Sequence, residues 1–294
     1  MEINENNNKA LVIGGSGFLG SHVADALTRK GFEVTILDIK KSEWLKPKQK
    51  MITYKAEGFD LDELVKEFDI VYHFAGISDI AEAKENPIRT IQENVISLMH
   101  ILEAIKKAKI KRFVYASTMY VYSDQGSFYK ASKQAAELMI ETYAKEFGIC
   151  YTFLRYGSLY GPRAQKWNGI NKFISQIMDY GIFEYSGTGK EMREYIHVED
   201  ASRLSVNILN KKFIDTAVII TGQQLIEVEK LAHILFEILG KEKKLLLHGE
   251  ESRSDHYGQT PYRYTPKAGK KLVPTEFVDL GQGLLELISK FDNE

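Results

Sequence analysis

Residues 11–27 read LVIGGSGFLGSHVADAL, and this stretch restricts the fold more tightly than any other. LVI is apolar and β-branched and predicts a strand. Gly14, Gly17 and Gly20 follow at a spacing of three, and a helical pattern begins among them. Such a chain turns sharply, lets a phosphate come close to its backbone and directs a helix N-terminus at the anion.

An acid completes the pattern. Asp38 ends the next strand-like run, EVTILD, about 20 residues on. A carboxylate there bonds ribose hydroxyls and repels a 2′-phosphate. Lys40 and Lys41 follow it and pull toward NADP, but Asp38 stands nearer the ribose position. NAD is therefore the expected cofactor. A glycine-rich turn with an Asp cap is the plainer reading, and the strand–turn–helix context weighs against it.

The rest of the first half keeps the same rhythm. The runs MITYKA, DIVYHFAG, RFVYAS and CYTFLRY alternate with longer helical patterns. These runs are almost continuously apolar, as strands covered on both faces are. The alternation predicts an α/β fold, a Rossmann-type doubly wound parallel sheet. Residues 1–160 form the expected dinucleotide-binding domain. Residues 161–294 read as a smaller α+β substrate-binding region, with a late strand near 217–222 rejoining the main sheet.

Bulk properties narrow the function. The net charge of −1 supplies no basic field for nucleic acid or an anionic membrane. A single cysteine, Cys150, excludes a disulfide framework and a cysteine metal site, and suggests a reducing, cytoplasmic setting. No apolar run reaches the roughly 18 residues of a membrane span. The polar start MEINENNNK lacks the apolar segment of a signal peptide and reads as a short disordered tail.

The chemistry concentrates in STMYVYSDQGSFYKASKQAAE, residues 117–137. Tyr129 and Lys133 share one helix face at i, i+4. A free phenol titrates near 10, and bringing it to about 7 takes roughly 4 kcal/mol. One cation at about 4 Å supplies on the order of that at an effective dielectric near 20. Lys133 is thus expected to turn Tyr129 into a general base, with the Thr118 hydroxyl holding the substrate oxygen.

These motifs, together with YHFAG, ENV, LRYGSLYGPR and REYIHVED, resemble the extended short-chain dehydrogenase/reductase family in its nucleotide-sugar epimerase/dehydratase branch. The resemblance runs from about Lys9 to the C-terminus. It implies catalytic Tyr129, Lys133 and Thr118, with Ser117 beside them on the substrate side. It implies cofactor contacts from Gly14, Gly17, Phe18, Leu19, Gly20, Asp38, Phe74, Ala75, Gly76, Asn94 and Lys133, with Glu57 or Asp60 meeting the adenine. Arg193 matches a position that grips the substrate diphosphate, which suits a guanidinium. Arg253 and Ser158 are further substrate candidates. His73 and His197 read as structural, His73 as a buried and satisfied imidazole. A homodimer through the helices of residues 88–109 and 129–147 is also implied.

Departures from the family pattern sharpen the expectation. Dehydratases of the family place Asp-Glu after the catalytic Thr, whereas Met119 and Tyr120 stand here. Members epimerising C3 and C5 add a Cys and a His, and Cys150 sits in another strand. The loop before Tyr129 is about ten residues shorter than usual, and Ser158 replaces a frequent Asn. What remains is hydride and proton chemistry at a ring carbon of a nucleoside-diphosphate sugar, most simply C4. A 4-epimerase is expected on frequency within the family. A 4-dehydrogenase or 4-keto reductase that releases its product is the alternative. A non-catalytic nucleotide-sensing protein would predict a damaged Tyr–Lys–Thr set, and the set is intact.

Overall fold

A computed structural model describes residues 8–54, 60–249 and 256–261. The polar tail at 1–7, Glu57 and Arg253 lie outside the described residues. The first part runs β1 (Lys9–Ile13), α1 (Phe18–Arg29), β2 (Glu33–Asp38), β3 (Gln49–Thr53), α2 (Leu61–Val65), β4 (Ile70–His73), α3 (Ile80–Glu85), α4 (Pro87–Ile91), α5 (Ser97–Ala108), β5 (Arg112–Thr118), α6 (Ser127–Phe147) and β6 (Tyr151–Tyr156). It continues with β7 (Ser158–Tyr160), α7 (Gly169–Tyr180), β8 (Phe183–Tyr185), β9 (Met192–His197), α8 (Val198–Asn207), β10 (Thr216–Ile220), β11 (Leu225–Glu227), α9 (Val228–Leu239) and β12 (Leu245–Leu247).

Seven parallel strands form the main sheet in the order β10-β6-β5-β4-β1-β2-β3. The strand period explains the layers. Along β1, Ala10 and Val12 enter a core with Val23 and Leu27 of α1 and Val206 of α8. Leu11 and Ile13 enter the opposite core, with Leu98, Leu102 and Ile105 of α5 and Ile140 of α6. A strand covered on both faces has no polar side, which is why LVI reads as a continuous apolar run.

Strand order reverses between β1 and β4, and the ends of these two strands meet there. A Cβ on Gly14, just past β1, would lie 2.4 Å from the amide nitrogen of Ala75, just past β4. Ligands of open parallel sheets bind at such a switch point.

Beyond β6 the chain builds a second, smaller core from Phe173 and Ile177 of α7, Phe183 of β8 and Leu231, Leu235 and Phe236 of α9. Two short sheets, β11-β9-β7 and β12-β8, accompany it. Between them the chain returns to the main sheet, where α8 packs on α1 and β10 pairs with β6.

Candidate active site

A cleft of about 1450 Å³ runs along the C-terminal ends of the main strands. Gly14, Gly17, Phe18, Leu19, Gly20 and Asp38 line it, as do Phe74, Ala75 and Gly76. The glycines are needed. Gly14 has φ +80°, and a Cβ on Gly20 would lie 2.3 Å from the Gly14 carbonyl oxygen. The first turn of α1 carries neither a side-chain cap nor an acidic residue. Its open N–H groups suit a pyrophosphate.

Asp38 is held by two backbone donors, Ser16 N at 3.0 Å and Lys40 N at 3.1 Å. Its carboxylate is fixed in the cleft and keeps lone pairs for ribose hydroxyls. The chain therefore fits a dinucleotide. Asp60 serves as the N-cap of α2, accepting from Glu63 N at 3.0 Å.

Asn94 differs from expectation. It sits in a π-helical turn, Gln92–Ile96, between α4 and α5. Its Oδ1 accepts from Ile77 N at 2.7 Å, while its Nδ2 donates to Ile77 O and Ser132 Oγ, each at 2.9 Å. The amide is consumed by the protein, so Asn94 acts on the cleft through the loop it holds.

Tyr129, Lys133 and Thr118 are brought together. β5 ends at Thr118, α6 places Tyr129 and Lys133 one turn apart, and all three line the cleft. Tyr129 and Thr118 share a hydrogen bond. The expected charge balance is altered, however. Burial pushes the Tyr129 phenol up to about 12, and the Thr118 bond only partly opposes it. Lys133 donates to Ala116 O at 2.8 Å and lies 4.6 Å over the Tyr115 ring. Burial lowers it to about 8, with Glu137 opposing. In the chain alone, desolvation governs the phenol, and Thr118 is what works against it.

Ser117 does not offer its hydroxyl to the cleft. It donates to Glu137 Oε1 at 2.5 Å. Ser158 and Arg193 stand behind the cleft wall. Ser158 bonds Tyr257. Arg193, 6% exposed, lies 4.8 Å over the Tyr257 ring and donates to Met192 O and Gly258 O at 3.1 and 3.3 Å. In this arrangement Tyr257 covers the guanidinium, and no ion pair neutralises it among the described residues.

His73 is buried as expected, but its Nδ1 finds no partner among the described residues. Burial lowers it to about 3, so it is neutral. His197 caps α8, accepting from Glu199 N at 3.3 Å.

Sequence reasoning noted Tyr120 only as standing in place of a carboxylate, and missed its partner in the cleft wall, His256. Tyr120 follows Met119 after Thr118, lies 6.1 Å from the Tyr129 ring and shares a hydrogen bond with His256 Nδ1. A chain separation of 136 residues hides that pair from any local pattern. Among the described residues no cluster of His, Cys, Asp and Glu is arranged for a metal, and no helix is long and apolar enough to cross a membrane.

Comparison with known proteins gives this geometry a context. Residues 10–219 match the NAD dependent epimerase/dehydratase family. A putative UDP-glucose 4-epimerase of Methanocaldococcus jannaschii is 31% identical over 225 residues, 69% of this chain and 73% of that protein. A UDP-N-acetyl-alpha-D-glucosaminuronate decarboxylase of Bacillus cytotoxicus is 28% identical over 96% of this chain and 97% of its own. The crystal structure of UDP-glucuronic acid 4-epimerase from Bacillus cereus, in complex with UDP-glucuronic acid and NAD, superposes with a TM-score of 0.79. That structure is 24% identical and covers 89% of this chain and 95% of its own, a likeness of fold.

Proposed function

Since the chain belongs to the NAD dependent epimerase/dehydratase family, we propose that it oxidises C4 of a nucleoside-diphosphate sugar and returns the hydride to the opposite face, as a 4-epimerase. The observation that carries this reading is the convergence of Tyr129, Thr118 and Lys133 beside a glycine-lined dinucleotide cleft. Enzymes of this family work on nucleotide sugars with NAD, which supplies the hydride chemistry when bound. Gly14, Gly17 and the first turn of α1 would hold its pyrophosphate, and Asp38 its ribose.

The chain's own residues manage the proton. Tyr129 Oη takes the proton of the C4 hydroxyl and later returns it. Thr118 Oγ1 holds that hydroxyl in line. The phenol stands too high in the chain alone, so it needs positive charge nearby. Lys133 supplies one charge, and bound oxidised NAD would add a second. Arg193 receives the substrate diphosphate after Tyr257 gives way.

A 4,6-dehydratase needs an acid–base pair after Thr118. The phenol of Tyr120, joined to His256, stands there in place of a carboxylate. C4 chemistry without elimination needs no carboxylate at that position. Release of the 4-keto sugar, as in a dehydrogenase, remains the second reading of the same centre. The exposed apolar residues Ile88, Ile96 and Leu138 on the α4–α6 side support a homodimer. Sedimentation as a monomer at micromolar concentration would count against it.

The test mixes the enzyme and NAD with UDP-, GDP-, CDP- and dTDP-sugars and follows absorbance at 340 nm. A silent trace with conversion to the C4 epimer supports the epimerase. Accumulating NADH replaces it with the dehydrogenase reading. Neither product from any sugar rejects both.

A further inference from the structure

Helix α6 repeats its active-site face once more than the proton chemistry uses. Tyr129, Lys133 and Glu137 follow at four-residue steps, and all three are buried, at 9%, 6% and 7% exposure. A carboxylate at such a depth is costly unless charged partners and hydrogen bonds satisfy it. Three donors do so. Glu137 Oε1 accepts from Ser117 Oγ at 2.5 Å and Arg155 Nε at 3.0 Å, and Oε2 accepts from Arg155 Nη2 at 2.5 Å. Ser117 and Arg155 are direct partners across the β5–β6 pairing, so the carboxylate is fastened to both strands. Arg155 also donates to the Tyr122 hydroxyl and stacks over the Tyr122 ring at 4.7 Å. This arrangement holds the Glu137 carboxylate, paired with Arg155, one turn from Lys133 and beside the strand that ends in Thr118.

The groups around Lys133 give that charge its role. From β5 come the Tyr115 ring and the Ala116 carbonyl, both uncharged. From β4 comes His73, neutral through burial. From α6 itself come Tyr129, also uncharged in the chain alone, and Glu137. Among the described residues that face Lys133, Glu137 alone brings negative charge.

We propose that Glu137 is a positioning residue of the active site, keeping Lys133 as an ammonium and so keeping Tyr129 able to give up its proton. The inference rests on the reading of Tyr129 and Lys133 as the proton-transfer pair. Burial pulls Lys133 down to about 8 and Glu137 works against that pull. Without the carboxylate, Lys133 would lose its proton closer to neutral pH, and the phenol would lose its cation.

The test follows Lys133 directly. Protein labelled with 13C at the lysine Cε is titrated from pH 5.5 to 10 without cofactor or sugar, and Lys133→Met assigns the signal. Glu137→Gln is expected to move the Lys133 midpoint down by about one pH unit, a tenfold change in proton affinity. Glu137→Asp, which keeps the charge, is expected to restore most of it. Wherever turnover is measured, the alkaline limb of its pH profile should move with the midpoint. If Glu137→Gln leaves Arg155 unpaired and does not fold, Glu137→Gln/Arg155→Gln removes both charges, and a smaller shift in the same direction is expected, because the Arg155 cation leaves with the carboxylate it partly offsets. A Lys133 midpoint that stays put in the folded variant overturns the proposal. So does an Asp variant that behaves like the Gln variant, because the role would then be packing. The titration needs no substrate, so failure of the C4-sugar reading leaves it standing and is recognised separately.

Discussion

Gly76 is a glycine because of Asn94: a Cβ at Gly76, whose φ is +134°, would stand 2.4 Å from the Asn94 Oδ1. The two residues fix the loop after β4 that lines the cleft. Asn94→Ala leaves the Ile77 N–H and C=O buried without partners and is expected to cost about 3 kcal/mol. Gly76→Ala should cost a comparable amount through clash and backbone strain. In the double variant the clash partner is gone, so the costs should sum to less than the two singles. Urea unfolding of the four proteins checks this, and strict additivity would break the link.

His73 should make the fold acid-sensitive. Its folded value of about 3 lies below the ordinary 6.5, so between these values the unfolded chain binds more protons. Stability is therefore full above pH 6.5 and falls as the pH drops toward 3. Between pH 7 and 4.5 the loss from this one group is on the order of 2.5 kcal/mol. His73→Leu should remove that part of the loss while other groups keep theirs. Denaturant melts at the two pH values measure the difference, and equal losses in both proteins would assign the acid sensitivity elsewhere.

The main sheet was legible because burial on both faces leaves a strong trace in sequence. LVIGG, EVTILD, DIVYHF and RFVYAS each became a strand of the parallel sheet. β7, β8, β11 and β12 were not legible, since a three-residue strand is too short for any period to register. The glycine turn, Asp38 and the Tyr129–Lys133 step were readable because backbone approach and helix geometry tie them to local spacing. What the side chains of Ser117, Asn94 and Arg193 touch was not readable, since it depends on partners far along the chain. Glu137 has no local signal of its own in the sequence. Its trace lay elsewhere, in Arg155, a charge inside the apolar run CYTFLRY that needs a buried partner.

Arg193 carries a buried charge that the described residues leave unneutralised, with carbonyls and phenols around it. If it receives the substrate diphosphate, Arg193→Met should raise KM for the nucleotide sugar about 10- to 100-fold, as lost hydrogen bonds to a charged group do. NAD affinity should stay within about twofold, because the glycine turn and Asp38 lie on other elements. Steady-state kinetics and a separate NAD titration distinguish the two. Loss of both affinities together would mean that Arg193 serves the fold instead.

Lys133 sets activity against stability. Its folded value of about 8 lies below the 10.5 of a free lysine, so the native state resists the charge that the proposed chemistry needs. Below pH 8 the whole cost is present. As the pH rises from 8 toward 10.5 the folded lysine sheds its proton before the unfolded one, and stability rises. Between pH 7 and 10 the gain is on the order of 2.5 kcal/mol. Lys133→Met carries no such charge. It should be more stable than the wild type at pH 7, should lack this gain on the alkaline side, and should lose turnover. Melts of the two apo proteins at both pH values read the effect, since the difference between the proteins cancels every group they share. A variant less stable at neutral pH would mean that the Ala116 bond and the Tyr115 contact offset the cost of burying the ammonium.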